Sequence, residues 1–191
     1  MGKKKILVKN ISNLSEARYC AGMLVDFISF ELDKNEVNFI DLKKYSEIKG
    51  WISGVKLLGN STYLTLDKIK EQIRERDLDG FIFDYSQIEL IELVDCRIKI
   101  AQIPINQLNT IYENIKNQVD YLIIFGKKKD INEDFFTKDQ LNTPILLGFD
   151  FENATYNLEK LSGFAFNGTI ESKPGNTHNL LMDALEFLDE D

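Results

Sequence analysis

Short apolar runs recur along this chain, and each is followed by a stretch in which apolar residues return every three or four positions. The runs are Ile6–Val8, Val25–Phe30, Ile52–Leu58, Gly80–Phe83, Ile98–Ile103, Tyr121–Phe125, Ile145–Gly148 and Gly163–Phe166. Continuous apolar character marks strands buried on both faces, as a parallel sheet requires. Helical patterns lie between them at Leu14–Met23, Ile40–Ile48, Leu66–Arg76, Ser86–Val94, Ile105–Asn117 and Asn179–Leu188, with weaker ones near Glu133–Leu141 and over Asn157–Leu161. The opening, Lys5–Glu31, reads as one βαβ unit. A strand runs into the polar turn Lys9–Asn13, a helix carries Ala17, Cys20, Ala21 and Leu24 on one face, and a second strand follows. Eight such strands in βα alternation over 191 residues predict a small α/β (β/α)8 TIM barrel. The charged stretch Gly126–Thr143 and the short segment Asp150–Lys160 predict that some of its helices are reduced. A doubly wound open sheet is the competing architecture, but it normally needs fewer strands, and the first strand lacks a Gly-rich phosphate turn.

No Pro/Gly/Ser-rich stretch interrupts the alternation, so residues 1–191 are read as a single domain. A net charge of −8 argues against nucleic acid as a partner, since such proteins present a basic face. The clusters Lys3–Lys5 and Lys127–Lys129 read as solvated turns. No run approaches the ~20 apolar residues of a membrane span. The basic start is followed by only a strand's length of apolar residues, unlike a signal peptide. Cys20 and Cys96 are isolated and lack metal-ligand spacing, which predicts buried free thiols in a reducing cytoplasm and no metal site. No P-loop, dinucleotide fingerprint, HExxH or nucleophile-elbow motif occurs, and no cofactor is expected. His178, the sole histidine, precedes the last helical pattern and reads as a surface or capping residue.

In a barrel of this kind, reactive side chains sit at the C-terminal strand ends and in the loops that follow. That rule selects Lys9 and Asn10, Lys56 with Gly59-Asn60, Asp84 and Tyr85, Gln102, Phe125-Gly126, Gly148, and Asn167-Gly168. Lys9 and Asp84 are the candidate catalytic pair. A lysine transfers protons near neutral pH only where burial lowers its pKa. An ion pair of Asp84 with Lys9 or Lys56 is the structural alternative. Asn10, Lys56, Gln102, Gly148, Asn167, Gly168 and Thr169 are candidate ligand contacts. Backbone amides near Gly148 and in the Asn167-Gly168-Thr169 turn suit a phosphate, although both glycines also serve as plain turn residues.

The helix start Ile11-Ser12-Asn13-Leu14-Ser15-Glu16-Ala17 and the stretch Gly163–Gly175, GFAFNGTIESKPG, resemble the two ends of phosphoribosylanthranilate isomerases. Looser resemblances lie in Ser53–Leu57, Asp79–Asp84 and Thr143–Gly148. The resemblance implies a (β/α)8 barrel of tryptophan biosynthesis, a phosphorylated small-molecule ligand and an Amadori rearrangement of an aminoaldose phosphate. That reaction uses a base, a Cys ending the first strand, and an acid, an Asp ending the sixth. Here those positions fall on Lys9 and Phe125, and Phe cannot transfer a proton. The family's later Asp falls on Ala165 and its serines on Asn167 and Gly168. The Arg expected after the second strand has no counterpart in Glu31–Asn38, where Glu36 stands instead. The expectation is therefore an isomerase-like barrel that binds a phosphorylated small molecule without the parent activity. The alternatives are an active, divergent aldose–ketose isomerase using Lys9 and Asp84, and a non-catalytic protein-interaction barrel.

Overall fold

A computed structural model describes residues 3–126, 142–148, 161–168, 181–182 and 185–186. Its strands are β1 (Lys5–Lys9), β2 (Phe27–Glu31), β3 (Lys56–Ser61), β4 (Gly80–Asp84), β5 (Ile98–Pro104), β6 (Tyr121–Phe125), β7 (Ile145–Gly148) and β8 (Gly163–Asn167). All pair in parallel and in chain order, and β8 returns to β1 to close the barrel. This is the (β/α)8 TIM barrel that the alternation predicts. Side-chain alternation divides the apolar residues in two. Leu7, Phe27, Leu58, Ile82, Ile100, Ile123, Leu146 and Ala165 fill the interior. Ile6, Val8, Ile28, Phe30, Phe81, Phe83, Leu122 and Ile124 belong to the layer under the helices. Both faces are dry, which is why the strands read as unbroken apolar runs.

The helices are α1 (Leu14–Gly22), α2 (Leu42–Trp51), α3 (Leu66–Arg76) and α4 (Leu108–Ile115). Asn13 caps α1 by accepting the Glu16 amide at 2.8 Å, and Asp41 caps α2 by accepting the Lys44 amide at 2.7 Å. The helix expected over Ser86–Val94 is a 3-10 stretch, Tyr85–Leu90, capped by Asp84. The one expected over Ile105–Asn117 divides into a 3-10 turn, Ile105–Gln107, and α4. The weak helix near Glu133–Leu141 lies outside the described residues, as does that over Asn157–Leu161 except for Leu161. Of the last helix, the four described residues are helical. No helix among the described residues is long and apolar enough to cross a membrane.

One expected strand is displaced. The apolar run Ile52–Leu58 does not form a strand throughout; Gly54 turns with φ 83°, and β3 starts only at Lys56 and continues through Gly59-Asn60-Ser61.

The N-terminal end of the barrel carries a repeated device. Asp26, Asp79 and Asp120 each stand one residue before an even-numbered strand. Their carboxylates accept the amides of Ile6 (2.9 Å), Leu57 (3.0 Å) and Lys99 (2.8 Å), near the start of the preceding odd strand. Two of the three also pair with a lysine that opens that strand, Lys5 with Asp26 at 2.6 Å and Lys56 with Asp79 at 3.3 Å.

Candidate functional site

At the C-terminal mouth, successive strands carry polar side chains at or near their ends that share the inward face. β1 supplies Lys9, β2 Glu31, β3 Asn60, β4 Asp84 and β5 Gln102. With Asn10, Glu36 and the Ser61–Tyr63 turn they line a cavity of about 250 Å3, and Ile82 contributes from the apolar layer below.

Lys9 reaches across this cavity. Its Nζ donates to the Gln102 side-chain carbonyl on β5, four strands away around the ring. Burial pulls its pKa down to about 8, against the opposing pull of the Glu31 and Asp84 charges. Its backbone carbonyl accepts the Gly168 amide. Asn10 then adopts φ 60°, a left-handed conformation that Asn tolerates, and turns the chain out of β1.

Glu31 is 9% exposed. Its Oε1 accepts the Asp33 amide at 2.9 Å and its Oε2 accepts Asn60 Nδ2 at 2.8 Å. Asn60 Nδ2 also reaches Asn10 Oδ1 at 2.9 Å, and Asn60 Oδ1 accepts the buried Ser29 hydroxyl at 2.6 Å. The carboxylate is thus fixed in place. Burial raises its pKa to about 6, although the backbone amides of Asp33 and Leu32 and the charge of Lys9 pull it down. The mouth consequently holds an amine and a carboxyl group whose titrations bracket neutral pH, an arrangement suited to proton transfer.

Of the residues selected from sequence, Lys9, Asn10, Asp84 and Gln102 come together here, with Asn60, which the position rule selects without a role. Asp84 has a second duty: its Oδ1 accepts the Ser86 amide at 3.0 Å and the Ser86 hydroxyl at 2.8 Å. Lys56 does not join them. It is the first residue of β3, at the opposite end of the barrel, where its partner is Asp79. The displaced start of β3 is the cause, since a strand over Ile52–Leu58 would have brought Lys56 near its C-terminal end. Gly148 and Asn167 end β7 and β8 at the mouth, and Gly168 follows, but none of them lines this cavity. The Gly168 amide, expected to bind an anion, is instead spent on the Lys9 carbonyl. Phe125 ends β6 half-buried, opposite Pro104 in register. Thr169 and His178 lie outside the described residues.

Sequence reading missed Glu31 and left Asn60 unassigned. The signal was present: Phe27, Ser29 and Glu31 alternate along one face, as do Lys56, Leu58 and Asn60. Extending each strand to its last inward residue recovers both. Among the described residues no group of three or more His, Cys, Asp or Glu side chains is placed to hold a metal ion. Cys20 and Cys96 are free thiols, and burial pushes Cys20 up to about 12.

The chain is a (β/α)8 barrel with a polar pocket at its C-terminal mouth. The solved structures it resembles include the phosphoribosyl anthranilate isomerase of Thermotoga maritima, at TM-score 0.75 and 13% identity over 98% of both chains. A phosphoribosyl anthranilate isomerase in complex with reduced 1-(o-carboxyphenylamino)-1-deoxyribulose 5-phosphate superposes at TM-score 0.73 and 14% identity, covering 98% of this chain and 97% of the other. Orotidine 5'-monophosphate decarboxylase of Sulfolobus solfataricus gives TM-score 0.63 and 13% identity over 98% and 97%. At such identities the likeness is one of fold. No family profile matches the chain, and no curated protein does.

Proposed function

We propose that this chain is a phosphoribosylanthranilate isomerase-like barrel that binds a phosphorylated, hydroxyl-rich small molecule at its C-terminal mouth, and that it lacks the parent isomerisation. The observation that carries this reading is the pocket itself. Strands β1 to β5 each contribute at least one polar side chain, so donors and acceptors converge on about 250 Å3 above an apolar floor. Such convergence suits a small polyol or sugar. The phosphate is supported by the complex of a similarly folded isomerase with a 5-phosphate compound. It is also supported by the general habit of such barrels to hold phosphate near β7 and β8. The Gly168 amide is not the donor we assign to it. Loss of the parent chemistry follows from Phe125 and Lys9 at the expected acid and base positions. Its free thiols suit a reducing cytoplasm.

Calorimetry with ribose 5-phosphate tests the reading. We expect binding at millimolar ligand or better, weakened at least tenfold by Asn60→Leu, which removes the amide joining Glu31, Asn10 and Ser29. No heat with the unmutated protein would refute it and leave a protein-interaction barrel.

A second reading, a divergent aldose–ketose isomerase, has one observation in its favour: Lys9 and Glu31 titrate near 8 and 6. In it Lys9 removes the C2 proton and Glu31, rather than the capping residue Asp84, protonates the departing ring oxygen. Growth of an isomerase-deficient tryptophan auxotroph, lost with Lys9→Met, would establish it.

A further inference from the structure

We propose that Lys9 is a carbonyl-condensing amine, whose Nζ forms an imine with the aldehyde or ketone carbon of an open-chain phosphorylated carbonyl compound in the mouth pocket. The inference rests on the small-molecule reading above and adds a covalent step and a substrate class to it.

Three features support it. The first is position. Lys9 rises from β1, lines the pocket and reaches across to β5, where its Nζ meets Gln102. The second is an acceptor on its Nζ. The Gln102 carbonyl is neutral and accepts from an amine as well as from an ammonium. This hydrogen bond therefore survives deprotonation and keeps the nucleophile aimed. The third is proton supply. Glu31 is immobilised by the Asp33 amide and by Asn60, and its charge and that of Asp84 both act on Lys9. With a pKa of about 8, roughly a tenth of Lys9 is neutral at pH 7.

The step balances without an added reagent. The Nζ lone pair attacks the carbonyl carbon, and the C–O π pair moves to oxygen, which takes a proton from the Glu31 carboxyl group. Nζ returns a proton to the Glu31 carboxylate. The carbinolamine then loses its hydroxyl, protonated once more by Glu31, as water, while the nitrogen lone pair forms the C=N bond. Amine and carbonyl give iminium; nothing is oxidised or reduced. Exchange of the carbonyl oxygen with water follows from the reverse reaction.

The test is brief exposure to glycolaldehyde phosphate followed by borohydride, with peptide mapping by mass. Reduction converts the imine to a stable secondary amine. We expect one adduct, at Lys9, formed at least tenfold faster than at Lys5 or Lys56, with a rate that rises with pH around a midpoint near 8. Lys9→Met should abolish that adduct while leaving the others unchanged. Mapping on the unmutated protein decides the matter even where the variant misfolds. Labelling spread evenly over the lysines would overturn the proposal. Ribitol 5-phosphate, which has no carbonyl, separates the two readings. Heat with ribitol 5-phosphate but no Lys9 adduct with the aldehyde defeats the imine and spares the binding function. Neither heat nor adduct defeats both.

Discussion

The two ends of this barrel use the same residue types to opposite effect. At the N-terminal end, Lys5 meets Asp26 and Lys56 meets Asp79, which Arg97 also approaches at 3.9 Å; the two lysine side chains are 45% and 57% exposed, and the aspartates also hold backbone amides. Each lysine there has an acidic partner and an ammonium open to solvent. At the C-terminal end, Lys9, Glu31 and Asp84 surround a cavity, with neutral amides of Asn60 and Gln102 between them. The exposed pairs serve to align strands. At the mouth, burial moves Lys9 down and Glu31 up, so both approach neutral pH, and burying them costs folding energy.

The comparison is broken most severely at the N-terminal seam. A Cβ at Gly163 would stand 1.8 Å from the Lys5 carbonyl oxygen, on backbone that cannot yield without parting β8 from β1. Gly163→Ala should cost at least about 3 kcal/mol, or prevent folding, as measured by urea denaturation. The next effect belongs to the mouth. Lys9 has a folded pKa near 8 against 10.5 in the unfolded chain, so between those values the unfolded chain binds more protons and stability rises with pH. The burial cost is therefore present in full below pH 8 and relieved above it. The stability of Lys9→Met relative to the unmutated protein should fall by on the order of 2–3 kcal/mol from pH 7 to pH 10.5. A flat difference would mean that Lys9 is not strained by burial. Asp79→Ala comes third. It strands the Leu57 amide and should cost about 2 kcal/mol in denaturant melts, with ribose 5-phosphate affinity unchanged. Lys56→Ala should be smallest, below about 1 kcal/mol, because the pair is exposed. It too should leave ligand affinity intact, and a loss there would return Lys56 to the site.

The architecture was legible because both strand faces are apolar, and a hydrophobic run needs no context to be seen. The spans of β6, β7 and α3 agree with the sequence reading residue for residue. The site was less legible for a related reason. Strands were ended where apolar character ended, at Val8, Phe30, Leu58, Phe83 and Phe166, yet each continues into polar residues: Lys9, Glu31, Asn60, Asp84 and Asn167. The inward positions near the C-terminal end of a barrel strand face a pocket rather than the core, so apolar character stops where the pocket begins. Lys9 and Asp84 are placed at the mouth by the position rule, which overrides the pattern. Glu31 was missed because it was counted with the loop, and Lys56 was misplaced because β3 starts later than its apolar run.

The aspartate device at the N-terminal end also bears on how the chain assembles. Its three carboxylate-to-amide bonds span only 20, 22 and 21 residues, whereas the Lys4 side chain reaches the Leu161 carbonyl across 157. Short loops close at little entropic cost and long ones late. The barrel is thus provided with three prefabricated strand pairs, β1–β2, β3–β4 and β5–β6, each able to find its register before the ring exists. Asp26→Ala and Asp120→Ala should slow folding in stopped-flow measurements. Loss of the Lys4 contact in Lys4→Ala should instead mainly speed unfolding.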